Sequence, residues 1–535
     1  MSTSRTIGLA ALIMGGSVLL SRFMGLARDK AISYVHGATL DTDIYFTAFV
    51  IPDFLNYLLA GGYFSITLIP LLAEKFGRRT PAGEADAWAF FSTVLTWLTA
   101  AAVVLTALAM LVAPQLTHWA APGFDAASRE RLTHFLRIIL PAQVFFMAGS
   151  CATGLLYLRK QFFAPALSPL IYNGCIILFG LLLPGDGMEG FCWGVLAGSF
   201  LGNFLLPFVA AARPARRPDQ EGGSGLRLTM RWRHPHLPRF LYLALPLMLG
   251  QSVVVLDEQL VRVFGSLAQE GAVSWLTYAR RIMLVPVGVV AQAAGVASYP
   301  FLASLAAKGD AEGFTGTLAT ALRNTAAVLV PLSVWMMVVA GPTITLIFEQ
   351  GRFDAADSAA TALCLQILLA GVFCWGIQQL VGRAFYARQD TLSPVVIGTL
   401  ATLVAVPAYW LLGSRHGAAG LAAASAGSVA LYTLLLAIWW RMRHGSAAFA
   451  GLGRMLGGAL GMSVLAGLPA AGLVWMSHRM PLTGPLWQAF LTICLSGLLF
   501  FLIYLWIGTR LFPESVAPML DLLGKVRRKL LRRDA

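Results

Sequence analysis

The chain has 535 residues, of which 58% are hydrophobic and only 12% charged, with a mean hydropathy of +0.72. A soluble domain is about 25% charged, so this composition leaves little room for one and points to an all-α polytopic membrane protein. The net charge of +14 then belongs in loops on one side of the membrane and does not imply nucleic acid.

Fourteen apolar runs are long enough to span a bilayer. Their approximate cores are 7–27, 44–72, 90–113, 136–158, 163–183, 191–211, 240–267, 273–302, 318–347, 359–385, 392–412, 421–440, 456–476 and 487–511. One base, Arg5, precedes the first run and no small-residue cleavage site follows it, so it reads as a membrane helix and not a signal peptide. At its far end stands Ser21-Arg22-Phe23-Met24-Gly25-Leu26-Ala27-Arg28-Asp29. At ~1.5 Å per residue from Ile7, Arg22 lies about 22 Å and Arg28 about 31 Å into the segment. An arginine at membrane depth costs roughly 2.5–3.5 kcal/mol unless it faces a partner or a watery cavity. Gly25 would let the helix bend between the two arginines, and Asp29 could partner Arg28. The alternative for Arg28 is snorkelling to the interface.

The second run carries Pro52, Asp53, Asn56, Gly61, Gly62 and Pro70, and the eighth Arg280, Arg281, Pro286, Gly288, Gly295 and Pro300. Both are expected to be broken helices, which a membrane protein tolerates only where protein or a watery cavity satisfies the freed backbone. The seventh carries Asp257, Glu258 and Arg262. Glu258 and Arg262, at i,i+4, would neutralise each other. Asp257 has no such local partner, and could bind a monovalent cation, accept a proton or pair with an arginine. Arg280 and Arg281, about 100° apart on a helix, need not face the same space.

Loops after even-numbered runs hold most of the bases, among them Lys75, Arg78, Arg79, Arg159, Lys160, Arg213, Arg216, Arg217, Arg388, Arg441 and Arg443. The tail adds Arg510, Lys525, Arg527, Arg528, Lys529, Arg532 and Arg533. Both termini are therefore expected in the cytoplasm, and an even helix count agrees. The tail is also the expected contact for anionic lipid.

The sequence repeats itself. Pro70-Leu71-Leu72-Ala73 matches Pro300-Phe301-Leu302-Ala303, and Phe124-Asp125-Ala126-Ala127 matches Phe353-Asp354-Ala355-Ala356. Tyr157-Leu158-Arg159 matches Tyr386-Ala387-Arg388, and Leu167-Ser168-Pro169 matches Leu392-Ser393-Pro394. The offsets are 230, 229, 229 and 225, always six helices. Six is even, so the halves share an orientation, as in transporters built from parallel repeats about an axis along the membrane normal. The expected organisation is an N-lobe at 1–222 (helices 1–6) and a C-lobe at 223–450 (helices 7–12). An appended pair at 451–511 and a basic tail at 512–535 follow, with Gly222-Gly223-Ser224-Gly225 as linker.

Arg22, Arg28, Arg280 and Arg281 form a cationic set suited to a phosphate or pyrophosphate headgroup, which guanidinium binds bidentately. No G-x-x-x-x-G-K-[ST] occurs, which argues against ATP-driven pumping by this chain. The six cysteines lie in or beside apolar runs without C-x-x-C spacing and read as small apolar residues, and no metal site is expected. His234-Pro235-His236, in a basic loop, reads as solvated. Asp41-Thr42-Asp43 resembles a metal–nucleotide acid pair but reads better as a polar, N-capped helix start. Ser21 and Ser65 have no His or Asp around them for nucleophilic catalysis, so the chain reads as no enzyme.

The opening arginine stretch, Thr42-Asp43-Ile44-Tyr45-Phe46, Ala121-Pro122-Gly123-Phe124, Ser274-Trp275 with Tyr278-Ala279-Arg280-Arg281, Gly351-Arg352-Phe353 and Phe385-Tyr386-Ala387-Arg388-Gln389-Asp390 together resemble the MurJ (MviN) lipid II flippase family of the MOP superfamily. The resemblance implies two six-helix lobes facing a central cavity. It implies alternating-access transfer of the undecaprenyl-pyrophosphate-linked peptidoglycan precursor to the periplasmic leaflet of the bacterial inner membrane. The family's essential cavity residues match Arg22, Arg28, Asp29 and Arg281. Many members carry two arginines and a glutamate in helix two, where this chain has Asn56, Tyr57 and Gly61. Asp257 matches the helix-seven acid of a sodium site found in some members, whose helix-eleven Asn and Asp positions read Ala405 and Tyr409 here. The expected substrate-binding set is therefore Arg22, Arg28, Asp29, Arg280, Arg281 and Asn56, with Asp257 as ion-coupling candidate. No cofactor is expected; coupling would be to a monovalent cation or to the membrane potential. Lipid II, membrane lipids and cell-wall synthesis machinery are the expected partners, and nucleic acid is not. The other readings are a flippase for another polyprenyl-linked glycan, such as an O-antigen or exopolysaccharide unit, and a non-transporting scaffold for envelope synthesis.

Overall fold

The structure, a computed structural model, describes residues 3–60, 63–76, 80–183, 187–213, 228–250, 252–479 and 484–531. The linker Gly222-Gly223-Ser224-Gly225, the pair Gly61 and Gly62, and the bases Arg78, Arg79, Arg216, Arg217, Arg532 and Arg533 lie outside the described residues. The described residues form helices and no strands, in two compact units, Met1–Val255 and Leu256–Ala535.

The first unit contains α1 (Thr3–His36), α2 (Leu40–Thr47), α3 (Val50–Ala60), α4 (Tyr63–Phe76), α5 (Pro81–Leu111), α6 (Ala113–Ala120), α7 (Ala126–Ile139), α8 (Ala142–Leu158), α9 (Phe163–Leu182), α10 (Glu189–Gly198), α11 (Leu206–Ala212) and α12 (Leu237–Gly250). The first helix runs unbroken through Gly25 and packs on α9. Within the second run the described residues show one interruption, at Ala48 and Phe49 between α2 and α3. A core of Leu68, Leu72, Phe90, Phe91, Leu155 and Phe240 ties α4, α5, α8 and α12 together. A π-helical stretch, Ser199–Leu205, joins α10 to α11 and lies close against α8. Any Cβ at Gly149 would sit 1.7 Å from the Asn203 carbonyl oxygen, so only glycine permits that approach.

The second unit contains α13 (Ser252–Gly265), α14 (Ala272–Pro286), α15 (Ala293–Ala307), α16 (Ala311–Val338), α17 (Ala340–Ile347), α18 (Ala355–Ala370), α19 (Val372–Ala387), α20 (Leu392–His444), α21 (Leu452–Arg479), α22 (Pro485–Leu511) and α23 (Pro513–Leu531). The first three residues and Val255 of α13 fall on the other side of the division. The eighth run is not severed at Pro286: the helix widens into a π-helical turn, Val287–Gln292, and continues as α15. Proline lacks the N–H for one helical bond, and a π-turn absorbs the local misfit. The pair α18 and α19 is bent by 42°.

The 53-residue α20 is two of the sequence's runs folded back on each other. Gly417 leaves the helix with φ 56° and ψ −137°. Tyr432 donates to the Pro394 carbonyl at 3.1 Å, Trp439 Nε1 to Ser393 Oγ at 3.1 Å, and Arg443 to Asp390 at 3.1 Å. These pairs are all centred near residue 416, so the chain reverses at Gly417. The appended helices α21 and α22 pack against α16 through Met462, Ala466, Phe500 and Tyr504, with Val334, Trp335 and Val338 opposite. The tail is not loose where it is described: α23 buries Val516 in that same cluster.

Among the described residues nine helices are long and apolar enough to cross a membrane, or ten if the bent pair counts as one span. One of those is the α20 hairpin, which carries two runs. The second and seventh runs include residues that are not described, and side chains 7–15 of the first are not, so fourteen remains the sequence's number.

The repeat is visible in local geometry. Thr80 caps α5 by accepting from Gly83 N, and Asp310 caps α16 by accepting from Gly313 N. Both helices break at a valine in nearly the same conformation, Val112 (φ −95°, ψ 16°) and Val339 (φ −96°, ψ 15°). Asp125 and Asp354 cap α7 and α18 through Ser128 N and Asp357 N. Among the described residues the only non-glycine residues with positive φ are Lys160 (58°) and Gln389 (63°), each following the repeated Tyr-x-Arg.

His234 is not solvated. Its side chain is 5% exposed and its Nε2 bonds Asp86 at 3.0 Å, while Lys75 holds the other Asp86 oxygen. The reason is a strap: residues 228–236 lie along α5, with Trp97 Nε1 donating to the Trp232 carbonyl at 2.9 Å and Thr229 N to Ser92 Oγ at 3.3 Å. Asp41 and Asp43 do not cap a helix; Thr39 is the residue before α2. They lie in the first turn, where the helix dipole favours them, and Asp41 pairs with Arg131.

Candidate functional site

In the first unit the site is built on α1. Arg28 lies six residues beyond Arg22, about 9 Å along the helix and about 120° around it. Arg22 is exposed, Arg28 half-buried and Asp29 fully buried. Arg28 Nε and Nη2 donate to Asp29 Oδ1 at 3.0 and 2.7 Å, and Nη1 donates to Asn173 Oδ1 at 3.3 Å. Asn173 is oriented in turn by its Nδ2, which donates to the Pro169 carbonyl at 2.8 Å. Three of the five guanidinium N–H groups are thus engaged by the protein, and the charge is fixed in place. Asn56 is half-buried on α3.

In the second unit Arg280 and Arg281 part company, as adjacent helical residues do. Arg281 is exposed. Arg280 turns inward and its Nη2 donates to Asp257 Oδ2. Tyr409 donates its hydroxyl to Asp257 Oδ1, and Ser425 donates to Oδ2 at 3.0 Å while accepting from Arg280 at 3.1 Å. Of the three roles open to Asp257, pairing with an arginine is the one the geometry displays. This buried cluster ties α13 and α14 to both arms of α20. The local pair also forms, with Arg262 Nη2 donating to Glu258 at 2.5 Å. A cavity of about 20 Å³, room for one water, lies among Glu258, Arg262, Thr277, Arg280 and Arg281.

Asn173, Tyr409 and Ser425 carry positioning contacts that the sequence did not single out for that role. Asn173 left a signal, being the only amide in the fifth apolar run. Ser425 left none among its alanine neighbours. All six cysteines are free, four of them buried. Among the described residues no group of three or more His, Cys, Asp or Glu side chains could hold a metal ion.

A family model described as lipid II flippase MurJ matches residues 32–494. The chain belongs to the MurJ family. Similar relatives include the lipid II flippase MurJ of Burkholderia cenocepacia, 29% identical over 442 residues and covering 81% of this chain and 84% of that protein. The probable lipid II flippase MurJ of Haemophilus influenzae is also 29% identical, covering 78% of this chain and 83% of that protein. Among solved structures, a lipid II flippase MurJ in an inward closed conformation superposes with a TM-score of 0.72 at 22% identity, over 94% of this chain and 100% of that one. An inward-facing multidrug-resistance MATE transporter of the MOP superfamily reaches 0.65 at 15% identity, over 82% and 99%. The MurJ family is one of multi-pass membrane flippases, not of enzymes.

Proposed function

We propose that this MurJ-family chain moves lipid II from the cytoplasmic to the periplasmic leaflet of the bacterial inner membrane by alternating access. Arg22, Arg28 and Arg281 are the groups that hold the pyrophosphate, with Asn56 as a polar contact. The observation that carries this is Arg28: a permanent cation near the end of a membrane helix, fixed by a fully buried Asp29 and by Asn173, with N–H donors left for a phosphate. In this reading Asp29 positions Arg28 and does not touch substrate. Arg280 and Asp257 act as an internal ion pair whose net charge is zero.

That pairing favours the membrane potential over a cation at Asp257 as the driving force. The anionic headgroup moves outward, away from an inside-negative cytoplasm, at about 2.3 kcal/mol per charge per 100 mV. The lobes are residues 1–222 and 223–450, with 451–511 appended. Both termini lie in the cytoplasm, where the basic tail meets anionic lipid and the cell-wall synthesis machinery is a candidate partner.

The test is leaflet accessibility of lipid II in cells depleted of their own flippase. Cleavage by an enzyme added outside reports arrival, for wild type, Arg28→Ala and Arg281→Ala at matched membrane levels. Restored cleavage with wild type and its loss in either variant supports the proposal. A second reading, transport of another polyprenyl-linked glycan, draws on Asn56, Tyr57 and Gly61 replacing charged residues of many relatives. It gains if wild type is inserted but restores nothing for lipid II. A scaffold would tolerate both alanine variants.

A further inference from the structure

At one end of the second unit the C-termini of α15, α19 and α20 and the N-terminus of α16 surround a cavity of about 690 Å³. Ends of membrane helices place it at the membrane–water boundary. Its walls combine apolar Ala303, Leu305 and Ala306 with Arg388, His444 and Asp310.

One side of the cavity is a pair of donors. The Arg388 guanidinium lies over the Phe314 ring at 4.7 Å and the Trp440 ring at 5.6 Å, which fixes its plane. Its Nη1 lies 3.0 Å from His444 Nδ1. Arginine can only donate, so His444 Nδ1 accepts and its proton sits on Nε2, making the imidazole a second donor. The opposite character comes from Asp310. Its carboxylate caps α16, with Oδ1 accepting from Gly313 N at 2.8 Å. Three helix C-termini add partial negative charge and carbonyl acceptors. A purely anionic ligand would meet repulsion here, and a purely cationic one would face Arg388. A ligand with phosphate at one end and ammonium at the other satisfies both kinds of lining group.

We propose that this cavity binds a phosphoethanolamine group, with phosphate on Arg388 and His444 and ammonium on Asp310 and the neighbouring carbonyls. Two sources carry that chemistry, the headgroup of a zwitterionic phospholipid and a soluble phosphoethanolamine. The repeat sets the site apart: the equivalent Arg159 lies over Trp88 at 5.4 Å but donates its Nη1 to the Ala211 carbonyl at 2.6 Å.

The experiment is calorimetric titration of the purified full-length chain in detergent. The ligands are dihexanoyl phosphatidylethanolamine, dihexanoyl phosphatidylglycerol, O-phosphoethanolamine and inorganic phosphate. Wild type is expected to bind the ethanolamine lipid about tenfold more tightly than the glycerol lipid, the size of one charge-assisted contact. Asp310→Asn keeps a capping residue, so the fold survives, and it should erase that preference. Arg388→Gln should weaken both lipids about tenfold. Tight binding of O-phosphoethanolamine assigns the site to a soluble ligand, and its absence beside lipid binding assigns it to the bilayer. Equal affinity of wild type for the two lipids, no binding of either phosphoethanolamine ligand, or a preference that survives Asp310→Asn overturns the proposal.

Discussion

Removing the Asp257 carboxylate tests whether the buried cluster of the second unit is a structural ion pair. Asp257 and Arg280 side chains are each 9% exposed, so water screens them little. In Asp257→Ala the Arg280 guanidinium keeps only Ser425 among the partners of the cluster. An uncompensated buried charge of this kind costs about 3–5 kcal/mol. Arg280→Met leaves the carboxylate with two donors, Tyr409 and Ser425, so its cost should fall at or below about 3 kcal/mol. The double variant Asp257→Ala/Arg280→Met has no charge to strand and should lose about 2 kcal/mol less than the sum of the two single losses. Tyr409→Phe removes one hydrogen bond to a charged acceptor and should cost about 1.5 kcal/mol. The assay is thermal unfolding of the four variants and wild type in one detergent at one concentration. Losses in the double variant that equal the sum of the single losses would refute the pairing, because independent residues add. An unchanged Asp257→Ala would refute it as well.

The exposed Arg281 should behave oppositely to its neighbour: Arg281→Ala is expected to leave the unfolding temperature unchanged while abolishing lipid II cleavage outside the cell. Gly417→Ala forces an L-residue to φ 56° at the α20 reversal and should cost about 1–3 kcal/mol, read by the same unfolding assay. Burial, opposed by the Asp86 hydrogen bond and assisted by Lys75, lowers the His234 pKa below its ordinary 6.5. Protonation therefore favours the unfolded chain. The stability from neutral His234 is complete above pH 6.5 and is lost as pH falls through the lowered value. Unfolding temperatures of wild type and His234→Gln should diverge above pH 6.5 and converge below it; parallel curves would show that the strap does not depend on that histidine.

The fold class was legible because hydropathy is a property of whole segments, and the repeat because it preserved turns as well as letters. The Arg28–Asp29 and Glu258–Arg262 pairs were legible because both are local in sequence. The Asp257 cluster was legible only as a list of alternatives. Its partners lie 23, 152 and 168 residues away, and nothing in a single sequence ranks such distances. His234 was misread for the same reason: a histidine among bases looks solvated until Asp86, 148 residues earlier, is seen beside it. The hairpin at Gly417 was read correctly as two runs, while the tail helix was missed because its basic residues masked the apolar contact made by Val516.

The matched corners of the two halves make each half a reference for the other. Position 80 and position 310 share a cap but hold threonine and aspartate; positions 160 and 389 share a left-handed turn but hold lysine and glutamine. Duplication has in effect already run the substitution experiment at these places. Exchanging the paired residues, Thr80→Asp or Lys160→Gln, should therefore be silent. Arg159 and Arg388 share a backbone mark and differ in the contacts around it, Arg159 donating to the Ala211 carbonyl and Arg388 to His444.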